Sequence, residues 1–504
     1  MGLSTVKANG HFLWEDCIWI GLERNAQFKL EKTKSELFPI LLREKWKQYL
    51  PKLGVHYFGI FSRNREQMDQ EYRDVRLQIQ QLLYDGGETE REKQKIEIKQ
   101  LIQSEEKKIL REKIIQNISL AYLNLNKRIL IESIYDLRLE RYQLEIKKRN
   151  LEIQTNLIPH SEKNSMKQWE VDFIAKRIHI QIQKENAYLE LKSSMFLDPN
   201  DQLGLEPGIT ERIEIFPPTN SPIEVDSNHP IRKKNRLQME LAQIEEEAVQ
   251  NDWKPKLVLG GYFGKNGNYG FPLQNEIYGV SLGFQTNLGG SSFNSNTQNG
   301  FQSDGNGIQR IPGYGPQAVG PGENAFQSGS FGFFDENGRE KKRFDSRFSK
   351  LQTHLEKEQS ELQLKNVSKS IELKLVEEYQ KYNLYLEFVN SAFQGLEQKR
   401  EEKKLHLITE IEYLKSEEEV FISFEHLIEH YFNYISYSLE LVILLGEDPF
   451  SNRYYRLHNR KYQSVFTNLL ILWKDQYPKE KWKELEPKLK KQTPFFLEDS
   501  NEIR

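Results

Sequence analysis

The spacing that comes nearest to a catalytic arrangement is His426-Leu427-Ile428-Glu429-His430, which matches the H-x-x-E-H pattern of one zinc peptidase class. Side chains four apart share a helix face, so the two imidazoles could approach one cation from the same side. That class takes a third ligand from a large α/β fold, and the short chain after His430 offers none. With 29% of residues charged, two histidines and a glutamate on one helix read more simply as surface groups. Other spacings are weaker. Glu245–Glu247 and Glu417–Glu419 are carboxylate runs of the kind found on solvated helix faces. The Gly-Tyr-Gly and Gly-Pro-Gly elements within 291–338 lack the flanking strand, helix and Gly-Lys-Ser/Thr of a phosphate cradle. Cys17 is the single cysteine, which rules out an internal disulfide and a cysteine-based metal cluster. The expectation is a protein that is not an enzyme, with no catalytic residue, cofactor or metal.

The elements that would carry such residues are long and polar. Hydrophobic residues make up 37% of the 504, poor material for several globular cores but enough for helices that each bury a narrow stripe. Lys and Arg total 71 against 74 Asp and Glu, a net charge of −3 that argues against nucleic acid as a partner. No run approaches the roughly 18 apolar residues of a membrane-spanning helix; Val442–Leu445 and Leu469–Trp473 come nearest. A transmembrane barrel stays open, because its strands alternate apolar and polar residues. Met1–His11 has no basic-then-apolar run, so no signal peptide is visible.

Glycine and proline punctuate the chain into a repeated pattern. Neither occurs from Glu88 to Ile158 or from His160 to Asp198, which predicts two long helices joined by a turn. Ile115, Ile118, Tyr122, Leu125 and Ile129 step by 3 and 4 in coiled-coil fashion. A helix of that length extends on the order of 100 Å. The pattern returns over 339–394 and 396–445. Ahead of each helix pair stands a proline-led strand, Leu53–Ile60 after Pro51 and Leu257–Phe263 after Pro255. A second strand follows each, Val75–Leu83 and Ile277–Leu288. Tyr278, Val280, Leu282 and Phe284 alternate with small or polar residues, as a strand with lipid on one side and water on the other would. Val75, Leu77 and Ile79 alternate likewise until the phase is lost at Gln81. Gly86-Gly87 and Gly289-Gly290 suit sharp strand-to-helix corners. Residues 291–338, rich in Gly, Asn, Ser and Gln, read as a mobile loop. Should the second strand end instead at "FGFFDENGRE", that stretch would enlarge the outer loop.

The order of these parts resembles the TolC family of outer-membrane efflux proteins over roughly 12–450. "FLWEDCIWIGLERNAQFKL" is similar to the family's opening helix, and "LQIQQLLYDGG" to the strand that introduces its third helix. "ISLAYLNL" resembles a segment inside that helix and is echoed by "LKLVEEYQKY". "NHPIRKKNRLQMELAQIEEEAVQNDWKPKLVLGGYFG" is similar to the start of the family's second repeat, and "YSLELVILLGED" to its final turn.

The resemblance implies a mainly α fold with a small β part, in which duplicated coiled-coil helical hairpins and two β-hairpins trimerise into a 12-stranded β-barrel and an α-helical tunnel. It divides the chain into a first repeat at 12–200 (hairpin about 51–85, helix pair 88–198), a linker at 201–228, a second repeat at 229–450 (hairpin about 255–289, insertion 291–338, helix pair 339–446) and a tail at 451–504. It implies a homotrimer in the outer membrane, in contact with lipid through a strand face such as Tyr278, Val280, Leu282 and Phe284. Its partners would be a periplasmic adaptor (membrane fusion) protein and an inner-membrane transporter of an efflux or type I secretion system. The family docks its adaptor at the helix tips, here Asn156 and Leu157 in one and Leu407, Ile408 and Thr409 in the other. The family's glycine is missing from both. Its acidic aperture maps onto Glu412 and Lys415, with Glu410 beside them, and three Glu412 carboxylates would repel one another there. The competing expectation is a coiled-coil structural protein derived from that fold that does not insert in a membrane.

Overall fold

The computed structural model describes residues 11–62, 70–154, 162–201, 203–205, 212–218, 225–268, 273–288, 291–303, 307–311, 315–333 and 338–458. In chain order its elements are β1 (His11–Phe12), α1 (Trp14–Arg24), α2 (Ala26–Ser35), α3 (Leu37–Trp46), β2 (Lys52–Ser62), β3 (Gln70–Tyr84), α4 (Glu88–Gln154), α5 (Glu162–Ser194), β4 (Gly204–Leu205), β5 (Ile213–Ile215) and α6 (Pro230–Gln250). There follow β6 (Lys256–Asn268), β7 (Asn275–Leu288), β8 (Ser291–Gln302), β9 (Gly307–Ile311), β10 (Gly315–Val319), β11 (Gly322–Gly332), α7 (Arg339–Lys404), α8 (Glu410–Leu445) and β12 (Tyr455–Leu457). The mainly α fold with a small β part is as the sequence implies, and α4 and α7 are 67 and 66 residues long.

The chain divides into two compact units, one of residues 1–30, 107–229 and 361–504, the other of 31–106 and 230–360. The first is helical and holds the main hydrophobic core. Trp14 anchors it: fully buried, its indole Nε1 donates to Ser119 Oγ at 2.9 Å, and its ring stacks on Tyr122 and meets Phe450 edge-on. Ile115, Ile118, Tyr122 and Leu125 of the coiled-coil stripe are buried here, with Leu375, Tyr382, Val389 and the apolar face of α8. The linker and the start of the tail also join this unit, because β5 pairs with β12 and Tyr431 Oη donates to the Ile213 carbonyl at 3.2 Å. Tyr454 and Tyr455 are buried; the rest of the tail lies outside the described residues.

The second unit is built on one antiparallel sheet in the order β11-β8-β7-β6-β3-β2. Here the structure corrects two sequence expectations. Residues 291–338 are not a loop: β8 pairs with β7 along its whole length, β11 pairs with β8, and β9 and β10 form a small hairpin between them. A Gly/Asn-rich segment cannot bury a core of its own, but an existing strand edge satisfies its backbone without asking for apolar side chains. Consequently Gly289-Gly290 lie between two strands, outside the described residues, and the corner that opens α7 is Gly338, with φ +89°.

The matching corner before α4 is Asp85-Gly86-Gly87. Both glycines have φ near +70 to +80° (69° and 78°), a region that a Cβ disfavours, and a Cβ on Gly86 would also stand 3.0 Å from Lys254 Cβ. Asp85 closes the turn by accepting the Gly87 N–H at 3.0 Å and the Thr89 N–H at 2.7 Å, so it caps the first turn of α4. Burial raises the Asp85 carboxyl pKa, but the hydrogen bonds from Thr89 and Gly87 outweigh it and leave the group below its usual range.

A carboxylate depressed in the folded state contributes stability above its unfolded pKa of about 3.9 and loses it as pH falls through the folded value. Asp85→Ala is therefore expected to lower stability by about 1 kcal/mol at neutral pH, in denaturant titrations, with the difference shrinking below about pH 4. Burial, then the charge of Asp16, pushes the Cys17 thiol up to about 12. Maleimide labelling at pH 7.5 should accordingly be negligible in the native protein and complete in denaturant, which mass spectrometry reads directly.

Candidate channel wall and helix tip

Each strand of the sheet puts alternate residues on opposite faces, and the pairing registers show which residues share one. Tyr278, Val280, Leu282 and Phe284 of β7 stand opposite Phe263, Gly261, Leu259 and Leu257 of β6. Phe263 and Gly261 in turn face Leu77 and Ile79 of β3, and these face Val55 and Leu53 of β2. One face of four adjacent strands is thus a continuous apolar surface, and it is exposed: Leu53 is 68% accessible, Val55 73%, Val280 58% and Phe263 55%. The four residues singled out in the sequence belong to it. On β3 the alternation of Val75, Leu77 and Ile79 is visible in the sequence, whereas on β2 Leu53, Val55 and Tyr57 alternate with Gly54, His56 and Phe58, a pattern that glycine and an inward aromatic blur. Gln81 keeps the register, opposite Leu259, and the ladder shifts only after it, between Leu82 and Tyr84, where the strand turns toward its corner.

The opposite face is polar and largely covered. Asp74 accepts from Arg76 Nε at 2.9 and 2.7 Å through its two oxygens, and Arg76 Nη2 closes the same pair. Tyr72 Oη donates to Asp74 at 3.2 Å, Asn266 Nδ2 donates to Tyr72 Oη, and Arg76 lies 5.0 Å over the Tyr262 ring. Buried charges persist only when paired and hydrogen-bonded, and this pair is both. Apolar outside and polar inside is the reverse of a soluble sheet packed on a core.

The second tip lies in the helical unit. α7 ends at Lys404, and Leu405, His406, Leu407 and Ile408 turn the chain into α8. The missing glycine is replaced by His406, at φ +59°. The His406 N–H donates to the Lys403 carbonyl at 3.0 Å and the Leu407 N–H to the Glu402 carbonyl at 2.9 Å, the double closure that usually ends in glycine. Leu405 and Leu407 are 69% and 71% exposed at the apex, while Ile408 packs against the core. Thr409 and Glu412 form a reciprocal cap: the Thr409 N–H donates to Glu412 Oε2 at 2.8 Å and the Glu412 N–H to Thr409 Oγ1 at 3.3 Å. Those hydrogen bonds, the backbone one foremost, hold the Glu412 carboxyl below its usual range. Lys415 is exposed one turn on, and Glu410 is the first residue of α8. Asn156 and Leu157 fall outside the described residues.

Two further apolar rows have no covering element among the described residues. On α5, Val171, Ile174, Ile178 and Ile182 are exposed at steps of 3, 4 and 4; on α7, Phe344, Phe348, Leu351, Leu355 and Leu362 are exposed at steps of 4, 3, 4 and 7. Both are coiled-coil seams. The zinc-like spacing is taken up otherwise, with His430 Nδ1 2.8 Å from Glu378 and both His426 and His430 rings against Tyr385. Among the described residues no cluster of His, Cys, Asp or Glu could hold a metal ion, and no helix is long and apolar enough to cross a membrane.

Solved structures share this architecture. The channel protein CusC superposes with a TM-score of 0.65 at 11% identity, covering 88% of this chain and 96% of its own. The chain has a TolC-like outer-membrane channel fold. The open-state MtrE outer-membrane channel of Neisseria gonorrhoeae gives 0.64 at 12% identity, with 86% and 89% covered. The outer-membrane protein VceC of Vibrio cholerae gives 0.62 at 12%, with 86% and 96% covered. No family model and no curated protein matches the sequence. The TolC-like fold tolerates such divergence because its elements need only stripe, seam and alternation.

A left-handed backbone costs an ordinary residue roughly 1 kcal/mol more than glycine. His406→Gly is therefore expected to raise the stability of the helical unit by about 0.5–1 kcal/mol, read as an increased denaturant midpoint with unchanged slope.

Proposed function

We propose that this chain is one third of an exit duct in a bacterial outer membrane. Three copies join their sheets into one barrel across the membrane and their helices into a tunnel on the periplasmic side, through which cargo leaves the cell. The observation that carries this reading is the exposed apolar face of the sheet together with edge strands β2 and β11, each paired on one side only among the described residues. Lipid covers such a face, and only a closed ring satisfies such edges in a medium without water. The uncovered seams on α5 and α7 support assembly as well, since one seam on each of two helices lets every copy join a neighbour on either side. The likeness in fold to outer-membrane channels points the same way.

In this reading the tip Leu405–Thr409 and its counterpart at Asn156 and Leu157 receive a periplasmic adaptor, which couples the duct to an inner-membrane transporter in a tripartite efflux or type I secretion system. Leu405 and Leu407 supply apolar anchors there. Glu410, Glu412 and Lys415 border the aperture. The Thr409 hydrogen bonds that lower the Glu412 pKa within one chain favour its charged form, and three copies would bring three such carboxylates together against their mutual repulsion.

The test is fractionation and gel mobility of the full chain produced in a Gram-negative host. Recovery with the outer membrane, as trimers that dissociate only on heating in SDS, is the expected result. A soluble monomer, or a soluble coiled-coil bundle, overturns it.

A further inference from the structure

The third hairpin changes what a ring of three copies must look like. Two hairpins per chain give four strands and a twelve-stranded barrel, whereas the sheet here has six strands, with β8 laddered onto β7 and β11 onto β8 over eleven residues. Every neighbouring pair is antiparallel, so with an even number of strands β2 and β11 run in opposite directions. When identical sheets follow one another round a ring, β11 of one copy therefore meets β2 of the next in antiparallel sense. The two edges also match in length, eleven residues each.

The exposed face supports β8 and β11 as part of the wall. Its aromatic residues lie at two levels that both reach β8 and of which one crosses to β11: Tyr278 stacks on Phe301 at 5.0 Å, while Phe284, Phe293, Phe331 and Phe333 form a chain of contacts from 4.5 to 6.3 Å. Phe293 and Phe301 are eight residues apart in one strand, about 27 Å along it and about 20 Å of height at a typical barrel tilt. Aromatic girdles of lipid-facing barrels bracket a band of about that height. Between the two levels Ser295, Thr297 and Asn299 of β8 are polar, and on β11 the same face carries Gln327 and, opposite Phe301, Glu323, all of which disfavour lipid. Removing the hairpin from the wall, however, would break the full β7–β8 ladder and leave an isolated two-stranded ribbon, which is marginal by itself. The full ladder outweighs this polar patch, which lies at the end of the sheet where the next copy joins.

We propose that three copies of this chain close an eighteen-stranded wall, with β11 of each copy paired to β2 of the next; the inference rests on the trimeric barrel reading above. Barrel diameter grows roughly in proportion to strand number, so the outlet is about 1.5 times as wide as a twelve-stranded one. Barrels of this size are wide enough for an open aqueous channel, so the class of cargo that fits the outlet extends to bulkier solutes.

Cysteine pairs test the closure in the full chain, with buried Cys17 left in place. His56→Cys on the polar face of β2 is combined in turn with Asn324→Cys, Phe326→Cys, Ser328→Cys and Ser330→Cys on β11, to cover any stagger, and separately with Ser281→Cys on β7. Mild oxidation is expected to give covalent trimers from at least one β11 combination and none from Ser281→Cys. Trimers from Ser281→Cys alone would mean that β7 meets β2 of the next copy, overturning the eighteen-stranded wall while leaving the trimeric duct intact. No cross-link from any pair in a chain that behaves as a monomer would overturn both. Image averages of unmodified trimers down their axis give an independent reading, a ring about 1.5 times the diameter of a twelve-stranded barrel; a ring of twelve-stranded size would count against the proposal.

Discussion

A backbone N–H or C=O that faces neither water nor a partner is the constraint on which the rest of this molecule turns. The sheet carries its apolar side chains on the face that a soluble protein would cover, and its paired Asp74 and Arg76 on the other. In the proposed duct such a sheet has no satisfactory state in isolation, because lipid would cover its apolar side chains and lipid in turn forbids open edges. The long helices follow from the same logic at lower stakes. Each buries one stripe in its own chain, and α5 and α7 keep a second stripe uncovered.

Much of this was legible in the residues. Gaps between glycines and prolines mark the long helices, because a helix interior tolerates neither well. Proline-led alternating runs mark the strands, and Tyr278 to Phe284 give the exposed face directly, since a period of two needs no tertiary information. What stayed hidden depended on neighbours. β8 and β11 have almost no apolar alternation, so nothing local distinguishes them from a linker, and they are strands only because β7 offers an edge.

At the helix tip, the sequence showed a missing glycine where the structure shows a glycine's conformation occupied by His406. Phe196 does the same at the end of α5, where the Leu197 N–H reaches the Lys192 carbonyl at 2.9 Å, whereas α8 ends conventionally on Gly446. Backbone hydrogen bonds specify these turns, and side-chain identity follows only where it is cheap to do so. Glu412 illustrates a related ambiguity: one carboxylate is at once the cap that starts α8 and a charge at a candidate aperture, and neither role excludes the other.

The place where the third hairpin enters has a geometric effect on symmetry. α4 departs after β3 and α7 after β11, and three strands, β6, β7 and β8, separate those departure points, where a sheet of two hairpins would leave one strand on every side. Around a closed ring the two kinds of helix would then leave at alternating wide and narrow intervals instead of evenly. In the proposed ring, the near-sixfold pattern that a duplicated chain makes available would be reduced to a true threefold at the junction of wall and helices.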